Sequence, residues 1–147
     1  MGINKDVIFT GKASWEDMPY YYHAADVFAT ASKTETQGLT IIEAMASNVV
    51  PVCMRDEAFQ SMVTEDLNGL FFETQEEYKK HIEFLYKNPK ELSRIDNQAR
   101  IQAEHYGSKN YAISVLDVYE RAIKTKESEY RFGIFSKVYK RIKEMFK

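Results

Sequence analysis

The sequence predicts an α/β fold, a doubly wound parallel sheet with helices on both faces and further helices at the C-terminus. Three observations carry that expectation. Short apolar runs alternate with helical patterns through the first half of the chain. One of them, Val49-Val50-Pro51-Val52-Cys53-Met54, is apolar throughout, as a strand covered on both faces should be. The second half carries helical periodicity to its end. With 147 residues, 44% apolar and 29% charged, the chain has the size and composition of one globular domain with a core.

The elements follow in order. Val7-Ile8-Phe9-Thr10 reads as a strand ending at Gly11. Met18, Tyr21, Tyr22 and Ala25 mark a helical face, with Asp17 as cap and Pro19 in the first turn, where its missing N–H costs nothing. Residues 26–31 form a second strand. A helix over 38–46 places Leu39, Ile42 and Ala46 on one face, and 49–54 is the third strand. Asp56 caps a short helix through Phe59, Met62 and Val63. Asn68-Gly69 turns into a short strand, Leu70-Phe71-Phe72. Thr74 and Glu77 form a capping box for a helix carrying Tyr78, Ile82 and Leu85, which Asn88-Pro89 breaks. The next helix carries Leu92, Ile95 and Ala99. Gly107-Ser108 opens a third, with Tyr111, Val115, Tyr119 and Ala122.

Bulk properties exclude several classes. No apolar run approaches the roughly 18 residues of a spanning helix, and no basic-then-apolar signal pattern opens the chain. The single cysteine, Cys53, allows no internal disulfide, and its apolar setting reads as a buried, inert thiol. A reducing, cytoplasmic location is expected. Net charge is −2, but residues 124–147 hold eight Lys or Arg against three Glu. An acidic body with a basic tail argues against nucleic-acid binding by the body. No His/Cys/Asp cluster has metal-ligand spacing, and no metal or cofactor is expected. His23 reads as structural; His81 and His105 fall on the late helices without evident partners.

In such folds ligands bind beyond the carboxyl ends of the strands, where loops feed helix N-termini. The loop after 26–31 runs Lys33-Thr34-Glu35-Thr36-Gln37 into Gly38. Gly38 permits close backbone approach, and the amides of Gly38, Leu39 and Thr40, with the helix dipole, suit an anion. Glu35 and Glu43 flank that helix start. Carboxylates repel an anion but accept from hydroxyls, so the pattern suits a polyol joined to a phosphate, as in a nucleotide sugar. Spacing alone favours the plainer alternative, two solvated carboxylates.

The stretch Asp26-Val27-Phe28-Ala29-Thr30-Ala31-Ser32, then Glu35, seven residues, Glu43 and Ala44-Met45-Ala46, resembles the Glu-seven-Glu signature of family-4 retaining glycosyltransferases of the two-lobed GT-B architecture. Val7-Ile8-Phe9-Thr10-Gly11, Tyr21 through Phe28, Val50-Pro51-Val52 and Asn68 through Phe72 match in order, over roughly residues 5–125. The resemblance implies a Rossmann-like, nucleotide-sugar-binding lobe over 1–125, lacking its first strand-helix unit, followed by a separate helix over 126–147. It implies Glu35 on the transferred sugar, as the catalytic residue, Glu43 on the ribose, and Gly38, Leu39 and Thr40 on the diphosphate. Thr34 through Thr40 is similar to the subgroup that glucosylates diacylglycerol in Gram-positive membranes, which implies UDP-glucose as donor; another glycan or a lipid-linked sugar is the alternative acceptor. Asn48 stands where the family has Gly, a mild departure because Asn tolerates a left-handed turn. The family's acceptor lobe and its Arg and Lys on the leaving diphosphate precede the matched region, so the chain alone is expected to bind nucleotide weakly and transfer nothing. A stand-alone nucleotide-binding module and a membrane-docking domain are the competing readings.

The tail is a basic amphipathic pattern. At about 100° per residue, Phe132, Ile134, Phe135, Val138, Tyr139, Ile142, Met145 and Phe146 fall on one side. Lys137, Lys140, Lys143 and Lys147 lie opposite, with Arg141 near the border. Two partners suit it: an anionic membrane surface, which would place the protein on the inner face of the cell membrane, or the absent acceptor lobe.

Overall fold

Three parallel strands form the sheet, β1 (Val27–Thr30), β2 (Val50–Met54) and β3 (Leu70–Phe72), in the order β1-β2-β3. The computed structural model describes residues 5–33, 38–126 and 135–145, with backbone alone at 126 and 135–137. Seven helices are described: α1 (Met18–His23), α2 (Leu39–Ala46), α3 (Glu57–Gln60), α4 (Gln75–Lys87), α5 (Pro89–Glu104), α6 (Ser108–Lys126) and α7 (Phe135–Met145). The chain divides into two compact units, Met1–Glu104 and His105–Lys147.

In the first unit β2 is the central strand, with Val27 opposite Val50 and Val52 opposite Leu70. Its alternate residues feed two apolar layers, as a strand's period of two requires. Cys53 joins Phe71, Ile41, Met45, Phe59, Met62 and Ala99 on one face. Val50 and Val52 join Leu70, Phe72, Leu85 and Ile95 on the other. Helix α5 serves both layers, through Ile95 on one and Ala99 and Ala103 on the other. Both faces of the sheet are therefore covered, and the continuous apolar run of β2 follows from that. Burial pushes the Cys53 thiol up to about 12, which keeps it protonated and unreactive.

Local signals set most helix ends. The Asp56 carboxylate accepts from the Ala58 amide at the start of α3. Thr74 and Glu77 make the capping box of α4 in both directions. Asn68 is buried yet satisfied, accepting from the Thr64 amide at 2.6 Å and donating to the Met62 carbonyl at 3.1 Å. Gly69 beside it is dictated by space, since a Cβ there would lie 2.8 Å from Pro51 and from Val63.

Several elements differ from the sequence expectation. Residues 7–10 form no strand; Ile8 and Phe9 are 85% and 93% exposed. Their local pattern suits a strand, but a ladder needs a neighbouring edge, and no described strand pairs with them. Helix α2 buries Ile41, Ala44 and Met45, whereas Leu39 and Ala46 are exposed. That helix is apolar nearly all round, so periodicity does not single out its inner face. Asp17 precedes α1 but makes no side-chain cap; its carboxylate accepts from the Ser14 hydroxyl at 2.8 Å. His81 does have a partner, the Phe71 carbonyl 2.9 Å from Nε2, and His105 sits in the turn between α5 and α6.

In the second unit α6 leaves Tyr111, Tyr119 and Ala122 exposed, and the half-covered stripe is Ala112, Val115, Leu116 and Ile123. Within this unit the Tyr139 hydroxyl of α7 donates to Glu120 of α6.

Candidate functional site

Helix α2 begins at the carboxyl end of the sheet, after β1, and its two ends are built differently. At the start Gly38 adopts φ 57°, ψ 30°, the left-handed region that a side chain disfavours. Space adds less to that choice: a Cβ on Gly38 would press on the methyl end of Met62, a flexible side chain able to turn aside, and would meet Phe59 Cδ1 at 3.5 Å, an ordinary contact. The Gly38 carbonyl accepts from the amides of Ile41 and Ile42, which starts the helix ladder. Gly38 makes no side-chain cap, and the amides of Leu39 and Thr40 precede the first residue able to bond back within the helix. Leu39 and Thr40 are both exposed. This is a helix start suited to an anion.

At the other end the helix closes on itself. The Val49 amide donates to the Ala44 carbonyl at 3.0 Å and the Asn48 amide to the Met45 carbonyl at 3.2 Å. That is the Schellman arrangement, with Asn48 at φ 60° as its left-handed residue. Asn therefore does the work that Gly does in the family pattern. Arg100 of α5 adds its guanidinium, 2.7 Å from the Ala46 carbonyl, where a cation also suits the negative end of the helix dipole.

Glu43 sits on the second turn of α2, half-buried. Its Oε2 accepts from the Tyr22 hydroxyl at 3.0 Å, from α1. Tyr22 is 5% exposed, clusters with Ala44 and Val49, and sets its ring against Phe28 with centroids 5.9 Å apart. Burial raises the phenol well above its usual range, and the bond to Glu43 and the carboxylate's charge raise it further, so Tyr22 serves as a donor. A hollow of about 410 Å³ opens beside the pair, walled by Glu43, Tyr22, Trp15, Met18, Pro19 and Ser47. A second hollow, of about 320 Å³, lies at the carboxyl ends of the three strands, among Ala29, Thr30, Ala31, Met54, Phe72 and Tyr78. Among the described residues none that lines it is charged.

The structure thus brings together Gly38, Leu39, Thr40 and Glu43 on one helix, as the sequence suggests. Glu35 lies outside the described residues, as do Phe132 and Phe146 of the tail. Phe135 and Lys137 are placed only by backbone, in α7. Lys140 and Arg141 are exposed and Ile142 is half-buried. Tyr22 and Trp15 were not singled out as site residues by sequence reasoning. Tyr22 reads as one apolar position on a helix face, and the available signal is that a buried tyrosine must find a hydroxyl partner. Arg55, just past β2, is occupied by Glu65 at 2.6 Å and Glu73 at 3.1 Å, and by the ring of Phe71. Among the described residues no group of three or more His, Cys, Asp or Glu gathers as for a metal, and no helix is long and apolar enough to cross a membrane.

Comparison with known proteins agrees with this arrangement. The sequence pattern of the family described as glycosyl transferases group 1 matches residues 1–102. The chain is 39% identical over 99 residues to an alpha-monoglucosyldiacylglycerol synthase of Acholeplasma laidlawii, covering 67% of this chain and 25% of that protein. A protein of the same name from Streptococcus pneumoniae is 34% identical over 70 residues, 48% of this chain and 16% of its own length. The matched region is therefore about a quarter or less of these relatives. In three dimensions the chain resembles the C-terminal domain of a group 1 family glycosyl transferase from Francisella tularensis, with TM-score 0.64 and 26% identity, covering 70% of this chain and 54% of that one. The fold is the Rossmann-like C-terminal domain of the GT-B architecture.

Proposed function

Because this chain belongs to the family of glycosyl transferases group 1, we propose that it is the donor-binding lobe of a retaining hexosyltransferase, with UDP-glucose as donor and diacylglycerol as acceptor. The observation that carries the reading is the open start of α2. Gly38 turns the chain in the left-handed region, delivering the amides of Leu39 and Thr40 at the carboxyl edge of the sheet, with Glu43 on the same helix beside a hollow.

In this reading the diphosphate leaves onto the amides of Gly38, Leu39 and Thr40. Backbone donors already fixed in place stabilise the developing charge without reorganising. Glu43 accepts from the ribose hydroxyls in the hollow walled by Trp15 and Tyr22. Glu35, from the segment that follows β1, holds the transferred sugar. The acceptor hydroxyl attacks from the face the diphosphate leaves, which retains the anomeric configuration. The names of the Acholeplasma laidlawii and Streptococcus pneumoniae relatives support a glucosyl donor and a diacylglycerol acceptor.

Trp15 is the one tryptophan in the sequence and lines the hollow, so its fluorescence reads occupancy. Titration with UDP is expected to change that fluorescence saturably, and Glu43→Gln to weaken the binding about tenfold, as loss of charge-assisted hydrogen bonds does. No response to UDP, or an unchanged affinity in Glu43→Gln, would sink the reading.

We propose that the basic tail contacts an anionic membrane surface through the residues its sequence pattern sorts to opposite sides, Phe132, Phe135, Ile142 and Phe146 against Lys137, Lys140 and Arg141, with the protein on the cytoplasmic face of the cell membrane. Exposed Lys140, Arg141 and Lys143 along one helix support it. The chain should bind vesicles of phosphatidylglycerol and not of phosphatidylcholine, and release from them at high salt. Equal binding to both lipids would refute the electrostatic part of this reading.

A further inference from the structure

The bond between Tyr22 and Glu43 joins two helices through residues 21 positions apart, and it touches the one carboxylate that the proposed function assigns to the ribose. A glutamate on a helix surface samples many rotamers, and fixing one of them costs side-chain entropy. Tyr22 removes that freedom before any ligand arrives. Its ring is held by Phe28 and by the cluster with Ala44, Val49 and Met18, so the hydroxyl is a fixed point rather than a mobile one. A carboxylate accepts up to about four hydrogen bonds, so the one from Tyr22 at Oε2 leaves capacity for vicinal hydroxyls. The raised phenol stays protonated and donates at any ordinary pH.

Resting on the donor-lobe reading above, we propose that Tyr22 is a positioning residue: it pins Glu43 at the wall of the Trp15 hollow in the orientation that selects a ribose diol over a deoxygenated sugar. The alternative role for the same bond is a staple between α1 and α2, which would affect every nucleotide equally.

The two roles separate on a ratio. Binding of UDP and of its 2′,3′-dideoxy analogue to the 147-residue chain is followed by Trp15 fluorescence, with melting curves recorded for each variant. Wild type is expected to prefer UDP. Tyr22→Phe keeps the ring and should weaken UDP about tenfold, on the order of the side-chain entropy then lost on binding, while the dideoxy analogue changes less than twofold, so the preference collapses. In a Glu43→Gln background, Tyr22→Phe should change neither ligand further. Equal weakening of both ligands, an undiminished preference in Tyr22→Phe, or additional loss in the Glu43→Gln background overturns the positioning role while leaving the donor site standing. The double variant also carries the test if Tyr22→Phe alone fails to fold, because it has no buried charge left without its partner. A wild-type chain that binds both nucleotides equally, or whose preference survives Glu43→Gln, overturns the ribose assignment and this inference with it.

Discussion

The two ends of helix α2 differ in how completely the protein satisfies its own backbone. The C-terminal end is closed three ways, by the Val49 and Asn48 amides and by Arg100. The N-terminal end has a glycine with no side chain to offer, at a position where Ser, Asp or Thr would ordinarily cap. Helix α4, after β3, shows that this chain can close an N-terminus with side chains, through Thr74 and Glu77. A capping side chain at Gly38 would occupy the amides, and would also overlap Met62. Among the described residues the helix is thus closed at its tail and without a side-chain cap at its head, the arrangement that the proposed diphosphate contact would use.

Breaking the head should have the largest effect. Gly38→Ala puts a side chain in the left-handed region, costing about 1–2 kcal/mol, and makes the flexible end of Met62 shift. A loss of about 1–2 kcal/mol in urea unfolding is expected, together with loss of UDP binding measured at a temperature where the variant is folded. Retained binding at full affinity would show that the amides of this turn are not the anion site. Breaking the tail should cost less and leave the head intact. Arg100→Ala is expected to lose about 1 kcal/mol, the typical net value of one such hydrogen bond, with UDP affinity unchanged. Asn48→Gly should move the other way, stabilising by a few tenths of a kcal/mol because Gly accepts positive φ more readily; destabilisation would mean that the 3.4 Å approach of Arg100 to Asn48 outweighs the backbone preference.

The smallest effect concerns α4, the control helix. The backbone amides of Glu73 and Thr74 hold the Glu77 carboxylate below the usual glutamate range. A lowered folded value means the bond stabilises fully above the unfolded value and is lost as pH falls through the folded one. Hydrogen exchange at the first turn of α4 should therefore quicken on acidification in that window, after correction for intrinsic exchange. Among the described residues no carboxylate caps the first turn of α2, which is expected to show no such added step.

What the sequence made legible follows the range of the interactions involved. The capping box at Thr74, the Asp56 cap, the all-apolar β2 and the left-handed Asn48 are settled within a few residues, and each stands in the structure as read. The inner face of α2 is not local: Leu39, Ile41, Ile42, Ala44 and Met45 give several apolar stripes, and packing against α5 and β2 chooses among them. Residues 7–10 illustrate the same limit, since a strand pattern becomes a strand only where a partner edge exists. Within the candidate site, Gly38 was legible locally as a glycine at a helix start after a strand, whereas Glu43 was singled out by the resemblance, since spacing alone favours a solvated carboxylate. Tyr22 was not, because the hydroxyl finds Glu43 only once α1 and α2 pack.

Cys53 gives the sheet an internal clock. It is the one thiol in the sequence, fully buried in the central strand and protonated when the sheet is closed. An alkylating reagent can reach it only in molecules whose layers have parted, so the labelling rate counts openings. On the donor-lobe reading nucleotide binds only the closed form, so UDP should slow that rate as occupancy rises, giving a measure of ligand binding that needs no transfer activity.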